Sequence, residues 1–158
     1  MKKVLIAICL TLSFSAFANQ DVTKSLETLK SSFSGEPQLK GTEMVASEST
    51  PGLYFGRRKV NNNFDIVDSV KKAHGGTATI FVLAGEEFVR ISTNVLKSDG
   101  TRAIGTKLAR NEAYKTVMSG KTFCGEVDIL GSMYDTCYAP IQDSKGAILG
   151  IYYVGYKK

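Results

Sequence analysis

The sequence predicts an α+β domain, and three observations carry that prediction. Apolar residues Val22, Leu26, Leu29 and Phe33 fall at helical spacing, which predicts a helix over residues 21–33. Five runs rich in β-branched and aromatic residues follow at 77–83, 87–94, 121–130, 133–141 and 147–156. The first two form a hairpin, a short helix follows, and the last three form a meander. Five such strands suit one antiparallel sheet, with the long N-terminal helix covering one face. The other face, under loop 96–107 and the short helix, is left to enclose something.

Each element has its own local signals. Gly35-Glu36-Pro37 stops the first helix. Residues 43–48 read as a short strand, Thr50-Pro51-Gly52 as a turn, and 53–55 as a second short strand. Asn61-Asn62-Asn63 before Phe64-Asp65 reads as amide caps and a first-turn acid. That helix runs to Lys71-Lys72-Ala73-His74 and stops at Gly75-Gly76, with its cations where the macrodipole favours them. Its buried face is Phe64, Val67 and Val70 with Ile66. Ala84-Gly85-Glu86 turns the first hairpin. Asn111 caps a short helix that reaches Ser119 and closes at Gly120. Gly131-Ser132 and Asp143-Ser144-Lys145-Gly146 turn the meander.

The first 18 residues read as a secretory signal peptide: a basic start, an apolar run over 4–12, and Ala16-Phe17-Ala18 as an A-x-A cleavage site. The apolar stretch is shorter than the ~20 residues a membrane span needs. Cleavage after Ala18 is expected, with residues 19–158 forming a single domain in the periplasm or outside the cell. The formal charge of +5 is dispersed over short clusters, Arg57-Arg58-Lys59 and Lys71-Lys72 among them. No basic stripe suggests nucleic acid as a partner.

Chemistry-bearing patterns are sparse. His74 is the single histidine, and its place at a helix end is a sufficient structural reason for it. There is no P-loop, no Gly-x-Ser-x-Gly and no clustered metal-ligand set. Neither catalysis, nor a metal, nor a cofactor is expected. Arg90 lies mid-strand and, on alternation, shares a face with Phe88, Ser92 and Asn94. A guanidinium there either holds a carboxylate through two parallel hydrogen bonds or makes a structural ion pair. Thr93 and Asn94 either complete a polar pocket or pin the turn. Arg102, in Asp99-Gly100-Thr101-Arg102, either clamps an anion or braces the loop against Asp99 or another acid. Phe123, Val127 and Ile129 share a face, and Tyr134 and Tyr138 join them across the turn, offering hydroxyls to an apolar wall or packing as core. Cys124 and Cys137 stand on the two arms of that hairpin, directly opposed if the turn is Leu130-Gly131 and diagonal if it is Gly131-Ser132. Either placement allows a disulfide in an exported protein; a reactive redox pair or two buried or free thiols are the alternatives.

Several stretches, taken in order, carry a family likeness. They are Leu53-Tyr54-Phe55-Gly56, Asn62 to Asp68, Gly75 to Phe81, Phe88 to Val95, Asp99 to Thr106, Tyr134 to Ile141 and Gly150 to Gly155. In this order and spacing, residues 53–158 resemble the extracytoplasmic Cache sensor domains, in particular the Cache 3/Cache 2 type of bacterial chemoreceptors and histidine kinases. The resemblance implies a PAS-like fold, with a long helix packed on a five-stranded antiparallel sheet and a ligand pocket on the other face. It implies a small organic acid as ligand and favours Arg90 as the residue that holds it. Such sensors usually lie between two membrane helices, whereas this sequence stops at Tyr156-Lys157-Lys158, where the second would begin. The expectation is a free-standing binding domain acting through a membrane chemoreceptor or sensor kinase, with its oligomeric state open. The competing expectation is an envelope interaction module with a vestigial pocket.

Overall fold

The computed structural model describes residues 15–158, and the side chains of 21–158. The expected signal peptide therefore lies outside the described residues over 1–14, as do the side chains of its cleavage site. Helix α1 (Ser15–Ser31) buries Val22, Leu26 and Leu29. Phe33, just beyond its end, stacks 4.5 Å from Phe55 and 6.0 Å from Tyr152.

The next segment departs from the sequence expectation. Strands β1 (Pro37–Val45), β2 (Glu48–Phe55) and β3 (Arg58–Lys59) form a separate three-stranded sheet. Thr50-Pro51-Gly52 is not a turn but the middle of β2. The reversal falls instead at Ala46, which takes a positive φ of 54°. The register slips between Leu39 and Thr42, opposite Pro51. A proline that lacks an N–H is tolerated at such a bulge. A Cβ on Gly52 would lie 2.5 Å from the Lys40 carbonyl oxygen, so the bulged strand can pass only over a glycine.

The asparagine triplet also works differently from a set of helix caps. Asn61 is buried, accepts from the Leu53 amide at 2.8 Å, and donates to Thr50 Oγ1 and the Pro51 carbonyl. It replaces the strand partner that β2 lacks at that point. Asn62, at φ 59°, donates to the Met44 carbonyl. Asn63 alone touches the helix start, accepting from the Asp65 amide at 3.3 Å. Helix α2 (Asp65–His74) ends at Gly75 in the left-handed region, with φ 81°. Val67 and Val70 are its buried residues.

The main sheet contains β4 (Thr77–Ala84), β5 (Glu87–Thr93), β6 (Phe123–Ile129), β7 (Ser132–Gln142) and β8 (Ile148–Lys157). Its order is β5-β4-β8-β7-β6, antiparallel throughout. Helix α3 (Glu112–Met118) is capped by Asn111, whose side chain accepts from the Tyr114 amide. The sheet divides the core in two. One cluster packs Ala78, Ile80, Val82, Ile91 and Val154 against α1 and α2. The other packs Phe81, Phe88, Tyr138, Ile151 and Tyr153 under α3 and under Val95, Ala103 and Leu108 of the long loop. Among the described residues no helix is long and apolar enough to cross a membrane.

The β6–β7 turn is Leu130-Gly131, with φ 53° and 85°, so Cys124 faces Cys137 directly. The two cysteines form a disulfide with Cα atoms 4.2 Å apart. It ties edge strand β6 to the body of the sheet.

Candidate functional site

Strand β5 carries one extra residue, and that residue builds the site. Ile80 pairs with Ser92 while Phe81 pairs with Arg90, leaving Ile91 as a bulge whose carbonyl accepts from the Asn62 amide. Simple alternation would put Arg90, Ser92 and Asn94 on one face. The bulge separates them. Ser92 turns to the helix side and donates to the Asn63 carbonyl at 2.6 Å. Asn94 also turns there, accepting from the Ala78 amide and donating to Val67 of α2. Arg90 stays with Phe88 on the α3 side, and Thr93 joins it, hydrogen-bonded to Thr79 at 2.6 Å.

Arg90 is only 4% exposed, and among the described residues no carboxylate pairs with it. Its guanidinium lies 4.9 Å from the Phe81 ring centroid, within electrostatic range of Tyr138 and Tyr153. Burial lowers its pKa from the ordinary arginine value, which is high enough that the group remains a cation. Nη1 donates to Thr106 Oγ1 at 2.7 Å. Nε is sealed from solvent without a partner, and Nη2 donates to no described residue. The unused edge of the fork is therefore Nε–Nη2, which matches two carboxylate oxygens side by side.

A second orphan lies beside it. Tyr138 is fully buried, and among the described residues its hydroxyl has no partner. Burial raises its pKa, so the hydroxyl keeps its proton and can donate it to an acceptor. Tyr153, 4.9 Å away ring to ring, is raised by burial as well, but its hydroxyl is engaged with Thr77 Oγ1 at 3.2 Å. Tyr134 stands further along β7, opposite Val127, and is half-buried.

Arg102 has a different environment. It makes a two-point pair with Asp68 of α2, both distances 2.8 Å, and donates to the Thr93 carbonyl at 2.8 Å. It also lies over the Phe64 ring at 4.6 Å. Asp99 instead binds the amide and hydroxyl of Thr101. Arg102 and Asn94 line an open cleft of about 410 Å3 with Asp68, Lys71, Lys72 and Leu96, on the α2 side. The six residues singled out from sequence thus divide. Arg90, Tyr138, Thr93 and, more distantly, Tyr134 share one face, while Asn94 and Arg102 serve the other side and the loop.

Phe81, Tyr153 and Thr106 complete the surroundings of Arg90 and were not singled out from sequence. Tyr153 alternates with Ile151 along β8, but in Tyr152-Tyr153 only strand register says which ring faces α3. Thr106 carries no sequence signal, because the loop reaches β5 through tertiary pairing. Among the described residues no group of His, Cys, Asp and Glu is placed to hold a metal.

With this geometry in view, comparison with known families gives one result. The Cache 3/Cache 2 fusion domain matches residues 8–158, so the chain belongs to that family. The match extends N-terminally beyond residues 53–158, where the sequence resemblance was drawn. Cache domains are extracellular small-molecule sensor domains, and the α+β architecture with its five-stranded antiparallel sheet agrees with the family. No curated protein matches the chain.

Proposed function

We propose that this chain is an exported, non-enzymatic sensor domain that binds a small organic carboxylate through Arg90 and acts through a membrane receptor or partner. One observation carries the reading: a buried cation with an unused donor edge beside an unpartnered tyrosine hydroxyl. Burying an unpaired charge costs several kcal/mol. A bound carboxylate supplies the missing partner, accepting from Nε and Nη2 and from the Tyr138 hydroxyl.

The neighbours narrow the ligand. Arg90 is the one buried charged side chain among the described residues, so no buried acid is there to receive an ammonium group. Phe81, Phe88, Ile151 and Tyr153 give the rest of the face an apolar lining. A single carboxylate on a short apolar body fits this better than a dicarboxylate or an amino acid. Thermal shift with propionate, succinate and alanine tests the reading. Propionate is expected to raise the melting temperature of the wild type and not that of Arg90→Ala. If no carboxylate stabilises the wild type, the reading fails.

A second reading, an interaction module with a vestigial pocket, has its own support. The α3 face is lined by buried aromatic and aliphatic side chains, and Leu130 and Met133 are exposed at the tip of the edge hairpin. This reading expects no response to any carboxylate.

A further inference from the structure

The segment 103–108 is tied to β5 in four ways, three of them at Arg90. The Arg90 amide donates to the Thr106 carbonyl at 2.9 Å, and the Gly105 amide donates to the Arg90 carbonyl at 2.8 Å. The Leu108 amide continues the pairing to Phe88 at 2.9 Å. The fourth tie is the side-chain contact, Arg90 Nη1 to Thr106 Oγ1 at 2.7 Å. The threonine hydroxyl spends its own proton on the Ala103 carbonyl, also at 2.7 Å. Its lone pair therefore points at the guanidinium, and its hydrogen bond to the loop fixes that direction.

An arginine head on four rotatable bonds would otherwise turn between its edges. With Nη1 held, Nε and Nη2 are the parallel pair in which neither nitrogen has a partner among the described residues. The loop is itself braced from outside. A Cβ on Gly105 would lie 3.0 Å from the Val45 carbonyl oxygen and from Ala46 Cβ, so glycine lets it pack against the β1–β2 turn. Lys107 pairs with Glu48 of β2 at 3.5 Å.

We propose that Thr106 is the positioning residue of the carboxylate site: by accepting from Nη1 it fixes the guanidinium so that a ligand is taken side-on, through Nε and Nη2. This rests on the reading of Arg90 as the carboxylate site. The preorganised fork spends less of its binding energy on ordering the side chain. Thr106 touches the arginine and not the ligand.

The test uses the full chain with propionate as probe. Thr106→Val keeps the shape and removes the acceptor, and it is expected to weaken propionate binding about tenfold, the scale of one charge-assisted hydrogen bond. Thr106→Ser keeps the hydroxyl and is expected to bind like the wild type. In nitrogen NMR of the wild type, propionate is expected to shift the Arg90 Nε–H resonance, which reports the side-on edge even if the valine variant fails to fold. Binding unchanged in Thr106→Val, an equal loss in Thr106→Ser, or an Nε–H resonance that ignores bound propionate each overturns the proposal alone. Absence of carboxylate binding to the wild type overturns the Arg90 reading and this proposal with it.

Discussion

Both faces of the main sheet are buried, yet among the described residues the unpartnered buried polar side-chain atoms fall on one of them. On the helix face, Asn94 is closed on both sides, by the Ala78 amide and the Val67 carbonyl, and Ser92 is closed by Asn63. On the α3 face, Arg90 and Tyr138 are as deeply buried but keep unused donors. The two arginines repeat the contrast. Arg102 has a carboxylate, a carbonyl and a ring, while Arg90 has a hydroxyl and a ring. Burial with partners holds a fold together. Burial without them costs stability, and the cost makes sense where a ligand supplies the partner.

The largest expected effect belongs to the link that ties edge strand β6 to β7, whose buried half, Cys137, packs on the helix face. The Cys124–Cys137 disulfide closes a loop of sequence separation 13. Replacing both cysteines by serine is expected to lower stability by about 3 kcal/mol in urea unfolding. A loss under about 1 kcal/mol would mean that the edge strand is held by packing alone.

Next comes the helix face. Asn94→Ala strands the buried Ala78 amide and removes the tie to the Val67 carbonyl of α2, with an expected loss of about 2 kcal/mol and no change in ligand selectivity. Indifference of the melting temperature to that change would remove the distinction between the faces. The α3 face should respond with the opposite sign. Arg90→Met fills similar volume without a charge and is expected to raise stability by about 1 kcal/mol while abolishing the propionate response. Destabilisation by that variant would show Arg90 to be part of the scaffold.

The smallest effect lies at the surface. Arg58 pairs with Asp65 at the start of α2 and holds its carboxyl below the usual 3.8. The sign follows from the lowered folded value. The pair's contribution is present above the ordinary carboxylate pKa and is lost as pH falls through the depressed one. Both side chains are largely exposed, so the change in stability is slight. NMR titration is expected to place the Asp65 midpoint below 3.8 in the wild type and nearer 3.8 in Arg58→Ala. Equal midpoints would show that the pair does not persist in solution.

Sequence alone determined the elements whose signals are local. The five main strands, the second helix with its glycine stop, and the Asn111 cap follow from periodicity and turn chemistry within a few residues. Arg90 and Tyr138 were also legible, because a charge inside a β-branched run and a tyrosine on an apolar face are visible in a one-dimensional pattern. Tertiary structure decided the rest. Pro51-Gly52 reads as a turn until the opposing bulge is seen, and the asparagines read as caps until Asn61 is found supplying a strand's missing partner. The Ile91 bulge shifts the alternation by one residue, sending Asn94 to the helices and Thr93 to Arg90. Arg102 was legible as a cation, but which acid braces it depends on α2 lying beside the loop. An arginine's chemistry is written in its side chain, whereas the presence of a counter-charge depends on what folding brings within 4 Å. Only the folded chain shows that Arg102 has such a partner and Arg90 does not.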